Sequence, residues 1–394
     1  MYPPDAPRLL TRQSVQSTQM PTKSLPLSGV RVLDFSTLLP GPVCTLLLAE
    51  AGAEVIKIER PESGDDMRGY QPQAAHDSAN FVLLNRGKKS IALDLKQESE
   101  RDRLRPLIAS ADVLVEQFRP GVMTRLGLDY ASISAINPRL VYCSITGYGQ
   151  HGPQALMAAH DLNYMADAGM LASVADHSGS PPLPPALIAD IAGGAYPALA
   201  NILLALRQRD QTGKGCHLDI SMSDSLFTFM YAALAQHNIT GQSPGPAEGL
   251  VFGGTPRYQI YKTQDGRFLA AAPLEEKFWQ TFCNLIDLPE PYRSDACPVQ
   301  QAVSAIQDLI RQKTAAHWSD IFANQDVCVV VVKSFEEALD SAHFKSRGLF
   351  SRQVFDGKNN MTALPVPIAE GLRAPEPSLA YPKLGQHNTE YLGS

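Results

Sequence analysis

Residues 158–194 hold side chains whose types and spacing suit catalysis. The stretch contains AAHDLNYM and, after a Pro-rich loop, PALIADIAGG, which place His160 and Asp190 at the edges of two apolar segments. An imidazole transfers protons near neutral pH, and a carboxylate acts as a base or a nucleophile. Asp190 precedes two glycines, so we expect it at a helix start that a ligand can approach closely. The alternatives are a structural or surface role for His160 and a simple helix N-cap for Asp190.

The segments around this stretch alternate between strands and helices from residue 29 onward. Alternation with short loops predicts an α/β fold with a Rossmann-like, mostly parallel sheet covered by helices. We predict strands over 31–35, 54–59, 90–95, 112–118 and 140–146, and helices over 43–50, 98–110 and 121–136.

The pattern changes after residue 190. A long apolar helix is predicted over 192–208, followed by a strand over 217–221 and a helix over 224–237. Further on, Asp265-Gly266 predicts the turn of a hairpin, and helices are predicted over 275–286 and 299–324. We therefore expect a flexible tail (1–26), a large α/β domain (27–224), a small α+β domain (225–330) and a C-terminal return to the large domain (331–394).

The composition excludes several classes of protein. A chain of 394 residues with a net charge of -6 and six scattered cysteines indicates a globular protein without a nucleic-acid partner or a structural zinc site. No apolar run approaches the length of a membrane span, and residues 1–26 lack a signal-peptide core. We expect a cytoplasmic protein, although Arg8 and Arg12 leave an organelle transit peptide open.

A glycine-rich turn follows the strand predicted over 140–146. The sequence Gly147-Tyr-Gly-Gln-His-Gly152 matches the dinucleotide fingerprint GxGxxG. However, several predicted strands precede it, Pro153 follows at once, and no strand with an acidic end lies about twenty residues on. We therefore expect Gly147 and Gly149 to line a ligand cleft of another kind.

Other catalytic motifs are missing from the sequence. There is no GxSxG for a serine hydrolase and no HExxH for a zinc site, so no metal is expected. The basic run Arg86–Lys89 lacks the first glycine of a phosphate-binding loop. Lys88 in this run remains a candidate for contact with a small anionic ligand.

Eight stretches of the sequence are informative as a set: LSGVRVLDFSTLLPGP, AGAEVIKIERP, NRGKKSIALDLK, ADVLVEQFRPGVMTRLGL, ITGYGQHGP, HDLNY, ADIAGG and TGKG. Taken together, they resemble the family III CoA-transferases, whose branches include formyl-CoA and carnitine-CoA transferases and the α-methylacyl-CoA racemases. The resemblance implies an α/β large domain made from both chain ends, a small domain, and a homodimer of interlocked subunits.

The resemblance implies roles for the candidate catalytic residues. Asp190 matches the aspartate that transferases acylate and that racemases pair with a histidine, and His160 matches that histidine. Glu275, in APLEEKF, matches a racemase glutamate that hydrogen-bonds the histidine from the small domain.

The resemblance also implies a CoA-binding set. Arg60 and Arg119 match arginines that meet CoA phosphates, and Tyr164 is expected against the CoA arm. Asp161, Lys88, Gly147 and Gly149 complete the predicted set. No cofactor is implied beyond the CoA that the substrate carries.

The reaction itself stays open between two chemistries. His160 and the GGTPRY loop (253–258) resemble racemases, whereas Ala186, where racemases carry asparagine, and the stretch FVLLNRGKKSIALDLK lean toward transferases. The leading hypothesis is racemisation of a 2-methylacyl-CoA, and the alternative is transfer of CoA to a free carboxylic acid through an aspartyl-CoA thioester. An acyl-CoA-binding protein without catalysis is a third class.

Overall fold

A six-stranded parallel sheet organises the chain. The computed structural model describes residues 24–174, 179–375 and 378–393, so most of the predicted tail lies outside the described residues. The strand order β3-β2-β1-β4-β5-β6 is that of a doubly wound sheet, as predicted. The strands are β1 (Arg31–Asp34), β2 (Glu54–Glu59), β3 (Lys89–Ala92), β4 (Val113–Glu116), β5 (Val141–Thr146) and β6 (His217–Ser221).

The central strands are buried on both faces, which explains their nearly continuous apolar sequences. Val32 and Val55 face one hydrophobic core, whereas their neighbours Leu33 and Ile56 face another. Helices cover both faces. In chain order they are α1 (Pro40–Glu50), α2 (Ala79–Asn85), α3 (Glu98–Asp102), α4 (Arg105–Ser110), α5 (Val122–Arg125), α6 (Tyr130–Ile136), α7 (Asp161–Asp167), α8 (Met170–Ser173) and α9 (Tyr196–Thr212), with a 3-10 turn at Asp66–Gly69.

Four helices predicted as single elements, over 98–110, 121–136, 224–237 and 299–324, are each divided into two, and the cause is local in the first two. The segment 98–110 splits into α3 and α4, because Pro106 has no N–H and is tolerated only in the first turn of a helix. The segment 121–136 splits where Gly127 has a φ of 67° and Asp129 caps α6 by accepting the Ser132 N–H.

The long apolar helix begins with a π-helical turn at Ala189–Ala195 and continues as α9. Together they form 24 residues that are long and apolar enough to cross a membrane by length and composition. The sequence analysis predicted a long apolar helix over 192–208 but held that no apolar run approaches the length of a membrane span. The buried residues of this helix, including Ala198 and Ile202, belong to the core of the central sheet, as in the core helix of a globular protein.

A second unit has its own antiparallel sheet and core. Strands β7 (Gln259–Lys262) and β8 (Phe268–Ala271) form the predicted hairpin, and β9 (Val329–Val331) extends the sheet beside β8. Trp279, Phe282 and Trp318 pack in its core. The helices of this part of the chain are α10 (Leu226–Phe229), α11 (Tyr231–Thr240), α12 (Glu276–Leu285), α13 (Val299–Ile310) and α14 (Ala315–Phe322), with a 3-10 turn at Glu290–Tyr292.

The C-terminal segment returns to the central sheet, so both chain ends build the large α/β unit. Ala92 N–H donates to Asn388 Oδ1 at 2.8 Å, and His387 N–H donates to the Ser90 carbonyl at 2.9 Å, which covers the edge of β3. The elements are α15 (Phe335–Leu339), α16 (Ala342–Ser346), β10 (Gln353–Phe355), β11 (Asn360–Thr362), β12 (Ser378–Ala380) and α17 (Asn388–Leu392), with a 3-10 turn at Glu370–Leu372.

Candidate active site

A cavity of about 340 Å³ lies beyond the carboxyl ends of β1, β4 and β5. This is where the strand order of a doubly wound sheet reverses, the usual ligand site of such folds. Five of the predicted site residues line it: His160, Asp190, Arg119, Tyr164 and Gly147.

Asp190 lies on the π-helical turn that precedes α9. Its backbone N–H donates to Asp161 Oδ1 at 2.9 Å. The two glycines that follow have a packing reason, which the sequence analysis did not foresee. A Cβ on Gly193 would lie 2.6 Å from the Met222 carbonyl oxygen, and one on Gly194 would lie 2.8 Å from Met222 Cγ. Met222 itself lines the cavity, so these glycines let the turn and the β6 end approach each other.

The surroundings of Asp190 change its proton affinity. Burial is the largest cause that raises the pKa of Asp190, and the negative charge of Asp161 raises it as well, whereas His160 lowers it; together they bring the pKa to about 6. Asp161 is only 5% exposed, so its charge is poorly screened by water. A carboxyl with such a pKa exchanges protons close to neutral pH, which suits general acid–base catalysis.

His160 occupies the N-cap of α7. Its backbone N–H donates to Asn163 Oδ1 at 3.0 Å, and this bond holds the residue at the helix start. The residue is exposed and lines the same cavity as Asp190. The imidazole therefore faces the space that a substrate would occupy.

Tyr164 and Gly147 form a close contact in the cavity wall. A Cβ on Gly147 would lie 2.3 Å from Tyr164 Cε1, so this position requires glycine. The Tyr164 hydroxyl donates to the Ala159 carbonyl at 2.8 Å, and burial raises its pKa to about 12. Gly149 does not line the cavity; its φ of 79° serves the turn.

A second cavity, of about 680 Å³, contains Arg60. The Arg60 side chain is 58% exposed and pairs with Asp66. Thr37 and Phe118 line both this cavity and the one that holds His160. The two cavities therefore adjoin across these two side chains, and Arg119 lies on the loop that carries Phe118.

Lys88 and Glu275 are not brought to either cavity. Lys88 Nζ is buried and contacts Asp34 Oδ2 at 3.1 Å, Thr45 Oγ1 at 2.7 Å and Asn85 Oδ1 at 2.9 Å. These partners occupy its ammonium group, so we do not retain Lys88 as a CoA contact. Glu275 is exposed at the N-cap of α12 and lines neither cavity.

The sequence analysis missed the residues that follow β1. Thr37, Leu38 and Pro40 line the cavity, and Leu38 has a φ of 62°, which is uncommon for a residue with a side chain. Asp65 Oδ1 accepts the Leu38 N–H at 3.1 Å, while Lys57 contacts Asp65 Oδ2 at 2.9 Å. The rule that ligands bind beyond the carboxyl ends of parallel strands would have indicated this segment.

The part of the chain that the structure describes contains no cluster of three or more His, Cys, Asp or Glu side chains able to hold a metal ion. The cavity of His160 and Asp190 is lined by apolar side chains, such as Leu38 and Met157, and by polar ones, such as Thr37, Gln117 and Thr146. Arg119 is the only lysine or arginine among its described lining residues.

Comparisons with known proteins agree with this geometry. The family model of CoA-transferase family III matches residues 27–388. Alpha-methylacyl-CoA racemase of Mus musculus is 34% identical over 93% of this chain and 92% of that protein. Acetyl-CoA:oxalate CoA-transferase of Acetobacter aceti is 33% identical over 92% of this chain and 93% of that protein.

A solved structure of a related protein has a similar fold. The crystal structure of a CaiB/BaiF family protein from Brucella suis has a TM-score of 0.78 and 28% identity, and it covers 93% of this chain and 98% of that one. Racemase and transferase relatives are similar to this chain at nearly equal identity, so identity does not separate the two reactions. The sheet order, the cavity at its reversal point and the match over residues 27–388 together establish that this chain belongs to CoA-transferase family III.

Proposed function

We propose that this enzyme racemises a 2-methylacyl-CoA thioester, with His160 and Asp190 as the two acid–base groups. The observation that carries the proposal is that an exposed imidazole and a carboxyl with a pKa of about 6 line one cavity of about 340 Å³. Inversion at a carbon requires one group to remove a proton while another delivers a proton to the opposite face.

The proposed reaction has two proton transfers. Neutral His160 removes the α-proton, and the C–H electron pair moves toward the thioester carbonyl to give an enolate. Protonated Asp190 then delivers its proton to the other face of the α-carbon, and the reverse direction uses the same groups in exchanged roles.

One part of the cavity wall supports an apolar acyl group. Leu38, Ile145, Met157 and Met222 line this part and would pack against a branched hydrocarbon. Polar side chains line the rest, among them Thr37, Gln117, Thr146 and Arg119, so a second carboxylate would also find donors there. The CoA part is proposed to extend past Thr37 and Phe118 toward Arg60, with Arg119 and Tyr164 along the way.

Transfer of CoA between carboxylic acids is the second candidate. In this reaction Asp190 attacks the acyl-CoA thioester and releases CoA thiolate, and the thiolate then attacks the mixed anhydride to give an aspartyl-CoA thioester and the free acid. An incoming carboxylate would attack the aspartyl-CoA thioester, release CoA thiolate and form a second mixed anhydride. The thiolate would then attack the acyl carbonyl of the incoming acid, which gives the new acyl-CoA and frees Asp190. The specific observation in favour is the near-equal identity to the two kinds of relative.

Glu275 and the homodimer remain proposals. Glu275 is exposed. Its carboxylate would therefore be free to accept the proposed hydrogen bond from His160 of a second copy of this chain. The apolar face of α11 supports an association of copies, since Tyr231 is 72% exposed and Ile239 is 88% exposed.

Proton NMR of a 2-methylacyl-CoA in deuterated water tests the proposal. We expect loss of the α-proton signal from both 2-epimers with the wild-type protein. His160→Ala should stop this loss for one epimer and Asp190→Asn for the other, each at unchanged CoA affinity, and both variants should lose racemisation. His151→Ala is the matched control, because His151 is an exposed histidine that does not line the cavity. Retained exchange of both epimers in His160→Ala would remove this residue from the mechanism. Absence of exchange in the wild type, with CoA transfer to an added carboxylic acid, would establish the second candidate.

A further inference from the structure

Glu116 is a buried carboxyl that the proposed reaction does not use. It is the last residue of β4 and is 3% exposed. The next residues along the chain, Gln117, Phe118 and Arg119, all line the cavity of His160 and Asp190, but Glu116 itself does not. Burial of a carboxyl directly beneath a ligand-lining loop calls for a physical reason.

The contacts of Glu116 join this loop to the body of the sheet. Its Oε2 accepts the Phe118 N–H at 2.9 Å, and its carboxyl also hydrogen-bonds Ser144 on the neighbouring strand. Ser144 Oγ in turn lies 2.9 Å from His217 Nε2 on β6. The loop after β4 is thus anchored through Glu116 to two adjacent strands.

Phe118 occupies the junction of the two cavities. It lines the cavity of His160 and also that of Arg60, and Thr37 is the other residue that lines both. The loop is held to the segment after β1 as well, since Gln117 Oε1 accepts the Gly41 N–H at 2.9 Å. A ligand that fills both cavities must pass between Thr37 and Phe118.

We propose that Glu116 is a positioning residue that holds Phe118 at the junction of the two cavities and thereby sets the affinity for the CoA arm. This inference rests on the proposed function, because it takes the ligand that crosses the junction to be an acyl-CoA. Glu116 touches no reacting atom, so its loss should affect binding far more than the proton transfers at His160 and Asp190.

The protonation of Glu116 guides the choice of variants. The pKa of Glu116 is raised to about 7. Burial is the largest cause and the negative charge of Asp219 adds to it, whereas the hydrogen bonds from Ser144 and Phe118 lower the pKa. Glutamine has the shape of the protonated carboxyl and keeps an oxygen that can accept the Phe118 N–H. Glu116→Gln is therefore the conservative variant, and Glu116→Ala removes the bond.

Steady-state kinetics and calorimetric CoA binding test the inference on the full-length protein. The loss of one buried hydrogen bond that holds a binding loop corresponds to a change of about tenfold in the binding constant. We expect Glu116→Ala to raise KM for acyl-CoA and Kd for CoA about tenfold, with kcat within about threefold of wild type. Glu116→Gln should restore both constants to within about threefold.

The matched control is Glu54→Ala, which truncates a half-buried glutamate whose partners are Arg31 and Tyr391, away from both cavities. A loss of stability alone lowers the amount of active enzyme, so Glu54→Ala should leave KM unchanged. If Glu116→Ala does not fold, Glu116→Asp replaces it, because the shorter side chain keeps the charge but withdraws the oxygen from Phe118.

The outcomes separate this inference from the proposed function. An unchanged KM and Kd in Glu116→Ala or Glu116→Asp, with a wild-type protein that binds and turns over acyl-CoA, overturns the role of Glu116 alone. An equal fall of kcat in Glu116→Ala and Glu116→Gln without a change in KM also overturns it. A wild-type protein that binds no CoA overturns both the inference and the proposed function.

Discussion

Replacement of Asp190 by asparagine should stabilise the folded chain at alkaline pH while it removes the proposed catalytic carboxyl. The pKa of Asp190 is raised from 3.8 to about 6, mainly because burial disfavours its charged form. One pKa unit corresponds to about 1.4 kcal/mol, so ionisation of this side chain destabilises the folded state by up to about 3 kcal/mol. Asparagine stays neutral at every pH and avoids this penalty.

The sign of the effect follows from the two pKa values. The unfolded chain releases the Asp190 proton near the ordinary value of 3.8, whereas the folded chain releases it at about 6. The stability that the protonated form contributes is therefore present below about pH 4 and is lost as the pH rises through about 6. Asp190→Asn should match wild type near pH 4 and exceed it by up to about 3 kcal/mol above pH 7.

Urea unfolding of both proteins across this pH range measures the difference in the free energy of unfolding. Asp129→Asn is the control, because the Ser132 backbone N–H lowers the pKa of Asp129 and its neutralisation should bring no gain at alkaline pH. The reasoning would be refuted by an Asp190→Asn variant no more stable than wild type at about pH 8. A gain that stayed constant down to about pH 4 would refute it equally.

Three further substitutions test the site and its support. Arg60→Ala should weaken CoA binding about tenfold in calorimetry, with a smaller effect at high salt, because Arg60 is the proposed phosphate contact; an unchanged Kd would exclude that contact. Lys88→Met should lower the free energy of unfolding in urea by about 3 kcal/mol, because it removes a cation from buried Asp34; unchanged stability would contradict this pairing. Gly41→Ala should lower the free energy of unfolding by about 2 kcal/mol in thermal or urea unfolding, because its Cβ would lie 2.1 Å from Ser36 Cβ. An unchanged melting curve would show that the backbone moves to accommodate the added methyl group.

The central sheet was predictable because its strands carry a local signal. Runs such as Val32-Leu33 and Val113–Val115 are apolar on both faces, and this pattern needs no knowledge of the partner strands. Strands β10, β11 and β12 were not predicted. They are three residues each, and β10 pairs in parallel with β12, so their formation depends on residues far apart in the chain.

The candidate site was predictable in part for the same reason. His160 and Asp190 stand out by residue type, and both line the cavity. The burial of Lys88 was not predictable, because it depends on Asp34, which lies on another strand and cannot be recognised as a partner from spacing. Glu116 went unnoticed as well, because a carboxyl at the end of an apolar strand resembles an ordinary exposed residue until the fold buries it.

The return of the chain to β3 has a consequence for synthesis on the ribosome. β3 is an edge strand. Residues 387 and 388 supply hydrogen-bond partners to the backbone of Ser90 and Ala92 in this strand. An uncovered edge strand is a template for pairing with other chains. The nascent chain therefore keeps this edge open until almost the whole protein has been translated. We expect ribosome-bound intermediates that end before residue 385 to need chaperone protection, even though all six strands of the sheet have already emerged.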